Sequence, residues 1–314
     1  MSLSEKIKAR GRELGFSGVG IVPAAMLERE ARLLENWLRA GMHGEMTYME
    51  RNFDLRIDPE KLLPGTKTIV SVIANYFPDS LQAEQVGHGK ISIYAQGQDY
   101  HTVLKTKLYD LFEFICKQVG EVNGRAFVDS APMLDKAWAE RAGLGWIGKH
   151  SNLINRQIGS YFFIGNLLLD CMLDYDTPAI TNYCGTCTAC IDSCPTQAIV
   201  APYQVDARKC ISYLNIELRR DLTAEEESAL GEWLFGCDIC QHVCPWNRFA
   251  KPTAIDELKP KPEVKRLTEA DILDMTSSVF KRLFSDSVVL RTGLKRMKRN
   301  AAAVKANLEK KKLR

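Results

Sequence analysis

The 314-residue chain has no apolar run long enough to cross a bilayer, which takes about 20 consecutive residues. Its longest candidate, Tyr161 to Leu173, is broken by Asn166 and Asp170. Met1 to Gly15 is charged and helix-patterned, without the apolar core of a secretory signal. A dinucleotide fingerprint is missing too: Gly11, Gly15, Gly18 and Gly20 never form G-x-G-x-x-G between a strand and a helix. Neither H-E-x-x-H nor a P-loop occurs. Net charge is only +3, unevenly placed, with ten Lys or Arg and a single acid between Arg291 and Arg314. A basic end of this kind is by itself a solvated tail before it is a phosphate contact. With 46% hydrophobic and 26% charged residues, what remains is an ordinary globular protein, expected in the cytoplasm.

Cysteine, by contrast, is plentiful. Eight of the ten cysteines lie between Cys184 and Cys244. The run Cys184 to Pro195 reads CGTCTACIDSCP, spaced C-x2-C-x2-C-x3-C-P. That is the bacterial-ferredoxin spacing for a 4Fe–4S cluster, whose fourth cysteine serves a second cluster. A shorter copy, CDICQHVCP, supplies Cys237, Cys240 and Cys244, and Cys210 lies between the two. The ferredoxin rule crosses the ligands. Cys184, Cys187 and Cys190 join Cys244 on one cluster; Cys210, Cys237 and Cys240 join Cys194 on the other. Structural zinc is the alternative, but the longer spacing is not usual for it. Short, repeated spacings in a chain this long oppose a disulfide scaffold and point to a reducing compartment.

Helical periodicity is clearest over Ala25–Ala40, where Leu27, Ala31, Leu34 and Leu38 recur, and over Tyr100–Val119, with Leu104, Leu108, Leu111 and Ile115 on one face. Ser4–Leu14 is a shorter helix. Thr66–Tyr76, Lys90–Ala95, Gly124–Val128, Asn152–Asn155 and Ser160–Leu169 read as strands. A helix over Met133–Ala142 follows Asp129-Ser130-Ala131-Pro132, where Asp129 or Ser130 could cap it. The expected class is α+β, with a mostly antiparallel sheet flanked by helices. Three regions are expected: 1–175, the helix-and-sheet domain; 176–250, the cluster module; and 251–314, a linker with Pro252, Pro260 and Pro262 leading into a basic helical tail.

A two-cluster module fused to a larger domain should deliver electrons to a second cofactor there. Asp99-Tyr100-His101 begins the D-x-H-x-x-G signature of histidine-ligated cobalt, but Leu104 stands where glycine is required. Asp129 ends a strand, where side chains meet ligands. His101 and His150 read as satisfied polar groups, Arg56 as a surface ion pair, and Cys116 as an inert thiol beside the apolar face of its helix.

Taken together, LRIDPEKLLPGTKTIVSVIANY, YAQGQDYH, FVDSAPMLDKAWAERAGLGWIGKHSNLI, both cysteine motifs and CPWNRFA resemble the epoxyqueuosine reductases, in order, over about residues 1–300. The resemblance implies a nitroreductase-like cobalamin-binding domain, a bacterial-ferredoxin-like two-cluster module and a short helical C-terminal tail. Longer members carry a HEAT-like repeat in the tail's place. It implies reduction of epoxyqueuosine to queuosine at the tRNA wobble position, the final step of queuosine biosynthesis, with electrons passed from two 4Fe–4S clusters to cobalamin. Asp129 falls on the proposed proton donor, a carboxyl that burial would keep protonated. Arg56, Asp129, Ser151, Asn152, Leu153, Ile164, Gln241 and His242 fall on expected cobalamin contacts, and Arg219 near a tRNA contact. Trp146, Tyr100 and Phe163 are candidate stacking partners for the target base, although core packing accounts for each. A monomer served by an electron donor such as flavodoxin or ferredoxin is expected, with no membrane partner. Two other readings stand beside this one. A reductive dehalogenase-like cobalamin enzyme would act on a small substrate, and such enzymes usually follow a twin-arginine signal that is missing here. A ferredoxin-like electron carrier would not need the large first domain.

Overall fold

The β-branched run Thr68–Asn75 is buried at every position and forms the second of four strands in the main sheet. The computed structural model describes residues 2–79, 88–178 and 181–313. The sheet is made of β1 (Gly18–Pro23), β2 (Thr68–Asn75), β3 (Gly124–Phe127) and β4 (Phe162–Leu169), in the order β1-β2-β4-β3, every neighbouring pair antiparallel. Its helices are α1 (Leu3–Glu13), α2 (Glu28–Arg39), α3 (Tyr100–Val119) and α4 (Asp135–Arg141).

Both faces of the sheet are covered, which is why β2 lacks a polar side. Ile7 of α1 and Leu104, Leu108, Leu111 and Ile115 of α3 pack with Val70, Val72, Leu167 and Leu169. On the other face Ala137 and Trp138 of α4 pack with Ile69, Ile73, Phe127 and Leu168. α4 ends hard against β1: a Cβ at Gly20 would lie 2.2 Å from the Ala142 carbonyl oxygen. Only a residue without a side chain permits that approach.

Two expectations change. Lys90–Ala95 is not one strand. Only Lys90–Ile91 is extended, before a 3-10 turn at Ile93–Ala95. The short strand pairs in parallel with Trp233–Phe235 of the cysteine-rich segment. Residues 251–314 carry the expected C-terminal helix, but they pack into the body instead of trailing from it as linker and tail. Ile255 and Leu258 enter the core on the α1–α3 face of the sheet, and the rest builds a third core. There Val264, Ile272, Phe280 and Phe284 surround α5 (Gly293–Lys312), whose Met297, Ala301, Val304 and Leu308 meet Ile91, Leu234 and Phe235. The apolar stripe of α5 is narrow, and the cations on its other faces hide it in composition. No helix among the described residues is long and apolar enough to cross a membrane.

Polar contacts fix α5 in place. Asn300 is fully buried and its amide donates to the carbonyls of Asn215 (2.8 Å) and Leu234 (3.0 Å). Arg299 donates to the carbonyls of Leu214 (2.8 Å) and Leu218 (2.9 Å). Asn300→Ala leaves two buried acceptors unpaired, a loss of about 1–3 kcal/mol. It is expected to lower the thermal midpoint of the intact protein, followed by circular dichroism.

Candidate active site and cysteine clusters

β3 ends at Phe127, and two residues later the chain turns sharply. Asp129 sits in the left-handed region (φ 52°), a conformation costly for a residue with a side chain. It does not cap the next helix, which starts at Asp135 after Leu134. The turn instead aims its carboxylate at the start of α3. The Tyr100 hydroxyl donates to Asp129 Oδ2 at 2.5 Å, and His101 Nε2 faces the same oxygen at 3.7 Å. On its other side His101 Nδ1 lies 2.7 Å from Asp99 Oδ1. Asp99 also caps α3 by accepting from the His101 backbone N–H. Phe163 stacks on Tyr100 at 4.0 Å and 8°, holding that ring in the core.

The electrostatics differ from the expected neutral acid. Asp129 is 67% exposed, yet surrounding protein still penalises its charge. That penalty is outweighed by His101 and Tyr100, which hold the Asp129 carboxyl below its usual range. Burial would lower His101, but its contacts with Asp129 and Asp99 push it up to about 9. At neutral pH the proton sits on His101 and Asp129 is a carboxylate. His101 is thus pinned between two acids rather than simply satisfied.

A second carboxyl behaves in the opposite way. Asp135 opens α4, accepts from Asn166 Nδ2 at 2.6 Å, and is pushed up to about 7 by burial and by the charge of Asp129. Sequence reasoning missed it, because its partner lies across the sheet on β4. Arg56 feels Asp135 and is depressed by burial. It is buried, not a surface ion pair. Its Nη2 donates to the Tyr48 carbonyl at 2.8 Å, while its Nε has no partner.

The loop Gly148–Ile154 forms another wall. Gly148 N–H donates to Asn152 O, and Ser151 N–H to Gly148 O, both at 2.8 Å. Ser151 is also left-handed (φ 63°), and its carbonyl accepts from Lys136 Nζ at 2.7 Å. His150 is neutral, pushed down to about 4 by burial. Its Nδ1 accepts from Asn152 N–H, and its buried Nε2 has no partner. Leu153 is buried, while Ser151, Asn152 and Ile164 are half-buried. Gln241 is committed: its amide donates to Ser160 O at 2.9 Å and Ser160 Oγ at 3.1 Å. His242 tilts against Tyr161 and lines a separate cavity of about 910 Å³, with Pro195, Trp233 and Lys311. That cavity's lining contains no other residue expected to touch the cofactor. Arg219 is exposed, and its charge depresses Arg296. Trp146 faces the cysteines, not the Asp129 cleft, with Nε1 3.5 Å from Cys184 Sγ.

The eight thiols fall into two electrostatic groups. Burial pushes Cys190 up to about 11, with further contributions from Cys244, Cys184 and Cys187. Burial pushes Cys237 up to about 12, with Cys210 and Cys194 among its neighbours. Cys240 is raised well above the usual range by burial, then Cys237 and Cys210, and lastly by Cys190 of the other group. Each group therefore takes thiols from both motifs, and the groups adjoin. Among the described residues no three His, Cys, Asp or Glu side chains close on a single metal ion.

Residues 183–247 match a family model described as a 4Fe-4S double cluster binding domain, and residues 56–130 one described as "Epoxyqueuosine reductase QueG, DUF1730". An epoxyqueuosine reductase of Cellulophaga algicola is 53% identical over 297 residues, covering 95% of this chain and 96% of that protein. The chain belongs to the epoxyqueuosine reductase family. The Escherichia coli member is 42% identical, covering 97% of this chain and 81% of its own. A crystal structure of epoxyqueuosine reductase with an epoxyqueuosine-modified tRNA-TYR stem loop matches with a TM-score of 0.90 at 29% identity, covering 98% of this chain and 82% of that one. The Streptococcus thermophilus epoxyqueuosine reductase structure matches at 0.88 and 30%, with the same coverage.

Asp129→Asn removes the charge that helps hold the proton on His101. The imidazole, titrated by NMR in histidine-labelled protein, is expected to fall from about 9 toward its ordinary value of 6.5. A titration unchanged from wild type would show that Asp99 alone raises it.

Proposed function

We propose that this chain reduces epoxyqueuosine to queuosine at the wobble position of tRNA, in the cytoplasm. The observation that carries the reading is the exposed Asp129 carboxylate held between Tyr100 and His101, with Lys136 in the field of both Asp129 and the Cys240 thiol.

Cys184, Cys187, Cys190 and Cys244 would hold one 4Fe–4S cluster, and Cys194, Cys210, Cys237 and Cys240 the other. Cobalamin would lie in the cleft, against Arg56, Asp129, Leu153 and Ile164, with Ser151, Asn152 and Gln241 around it. The cleft suits so large and polar a group: Arg56 Nε and His150 Nε2 are buried without partners, and Asp129 and Ser151 are held in strained backbone. When bound, the clusters and cobalamin supply strongly reducing electrons, delivered singly.

Loss of the epoxide oxygen as water takes two electrons and two protons and leaves a carbon–carbon double bond. The chain's own part is the first of the two protons; solvent supplies the second. His101 stores it at Nε2, Asp129 passes it to the departing oxygen, and the Tyr100 hydroxyl keeps the carboxylate aimed. General-acid help of this kind contributes about 10²–10⁴-fold. Arg219 and Arg291 serve the RNA. Arg291 pairs with Glu217 at 2.8 Å and also feels Tyr48, Tyr94 and Asp129. Both guanidinium groups are exposed and would contact phosphates while the unstacked base enters. The external electron source is a carrier of the flavodoxin or ferredoxin class.

Asp129→Asn is expected to slow deoxygenation by about 10²–10⁴-fold with stem-loop affinity retained, read by mass spectrometry of tRNA nucleosides. Near-wild-type conversion would remove Asp129 from the reaction. In the wild type, turnover is expected to fall as pH rises through about 9, where His101 gives up its proton. The crossed ligands have their own check. Cys184→Ser and Cys244→Ser should weaken one and the same cluster signal in electron paramagnetic resonance, and Cys194→Ser and Cys210→Ser the other. If Cys244→Ser instead resembles Cys210→Ser, the crossing is wrong.

A further inference from the structure

Electrons reach this protein from outside, and the structure offers one place suited to their arrival. Cys187 is exposed, whereas the other seven cysteines of the two motifs and Cys210 are half-buried or buried. It belongs to the group with Cys184, Cys190 and Cys244, the group farther from the Lys136 side of the cleft, where Cys240 is the thiol that is felt. An aromatic platform adjoins Cys184 of the same group. Trp146 Nε1 lies 3.5 Å from Cys184 Sγ, and its ring meets Tyr183 at 5.1 Å and Trp246 at 5.0 Å. Trp246 in turn contacts Phe249 at 5.8 Å. Tyr183 and Phe249 remain 40% and 38% exposed. These rings are wide apolar groups left uncovered beside a redox centre.

The rim of the platform is cationic. The Arg156 guanidinium lies 4.8 Å from the Tyr183 ring, and that of Arg248 lies 4.5 Å from the Phe249 ring. Lys149 Nζ donates to the carbonyls of Gly185 (2.7 Å) and Cys187 (2.9 Å), so its charge is held over the cluster loop. Across segments 145–160, 181–196 and 245–253, which build this face, the cations are Lys149, Arg156, Arg248 and Lys251, and the only acid in their sequence is Asp192.

We propose that the face formed by Tyr183, Trp246, Phe249, Lys149, Arg156 and Arg248 is the docking surface for an acidic protein that carries single electrons. The proposal rests on the reading above that such a carrier serves this chain. Each encounter moves one electron: the carrier's reduced centre loses it, and the group held by Cys184, Cys187, Cys190 and Cys244 gains it. Two encounters match one epoxide. Exposed aromatic rings exclude water over a short path to Cys184, and the basic rim steers an acidic partner. Redox encounters of this type bury little surface, under about 1,200 Å², and rely on charge for their rate. RNA could also be drawn to cations and aromatic rings, but the groups assigned to it, Arg219 and Arg291, lie on other segments, and Arg291 is in the field of Asp129. The platform belongs to the exposed cluster loop.

The test uses cluster-loaded full-length protein, with reduced flavodoxin and reduced 2Fe–2S ferredoxin as probes. Stopped-flow absorbance follows cluster reduction in wild type and in the double variant Arg156→Glu, Arg248→Glu. The variant is expected to be reduced by the carriers about 10-fold or more slowly, and to lose the salt dependence of the wild-type rate. Its reduction by dithionite and its affinity for the tRNA stem loop are expected to stay unchanged. If the double variant loads clusters poorly, Arg156→Gln, Arg248→Gln makes the same comparison. Equal carrier rates in wild type and variant overturn the proposal. So does a loss of stem-loop affinity with carrier rates intact, which assigns the face to RNA. Wild-type conversion of epoxyqueuosine-tRNA with dithionite as reductant tests the activity separately, so a failure of the docking face and a failure of the enzymatic reading give different results.

Discussion

A buried carboxylate, that of Asp238, holds the cysteine-rich segment in register with the sheet domain. It accepts from the Ile93 backbone N–H at 2.8 Å and from the Ser92 hydroxyl, beside the parallel pairing of Lys90–Ile91 with Trp233–Phe235. Asp238 lies between Cys237 and Cys240 in the chain. Anchoring it therefore fixes where both thiols sit relative to the Asp129 cleft. A buried charge persists only when its hydrogen bonds are met, and here the donors come from the other domain. Electron delivery depends on distance, and this contact sets the distance.

The cleft itself works by dividing two carboxyls. Asp129 is drawn down by His101 and Tyr100, while Asp135, deeper and behind it, is drawn up by burial and by Asp129's own charge. Environments that push two like groups apart assign one to each protonation state. The carboxyl raised toward neutrality is Asp135, pushed up to about 7, and not Asp129. The proton nearest the open cleft is carried by His101. Asp129 is therefore better suited to passing a proton than to storing one.

How much of this could be read from the chain follows from the range of each interaction. The two-cluster domain was legible because short loops encode its cysteines in spacing. The helix over Tyr100–Val119 agreed at both ends, since twenty residues repeat one apolar stripe between Asp99 and Gly120. Asp129 stood out at a strand end, but its chemistry is set by residues 28 and 29 positions earlier, at the start of another element. Asp135 depends on Asn166, and no local pattern connects them. The C-terminal core escaped notice because Met297, Ala301, Val304 and Leu308 are outnumbered on α5 by lysine and arginine. The matching stripe on Leu234 and Phe235 is only three residues long.

The seating of α5 also ties the cysteine loops to an element distant in the chain. Its Asn300 and Arg299 close the carbonyls of the turn that follows Cys210, and its apolar stripe covers the strand that leads into Cys237. Whatever loosens α5 therefore removes the backing of the loops that carry Cys210 and Cys237. A cationic helix that reads as a trailing appendage is part of the wall behind those thiols.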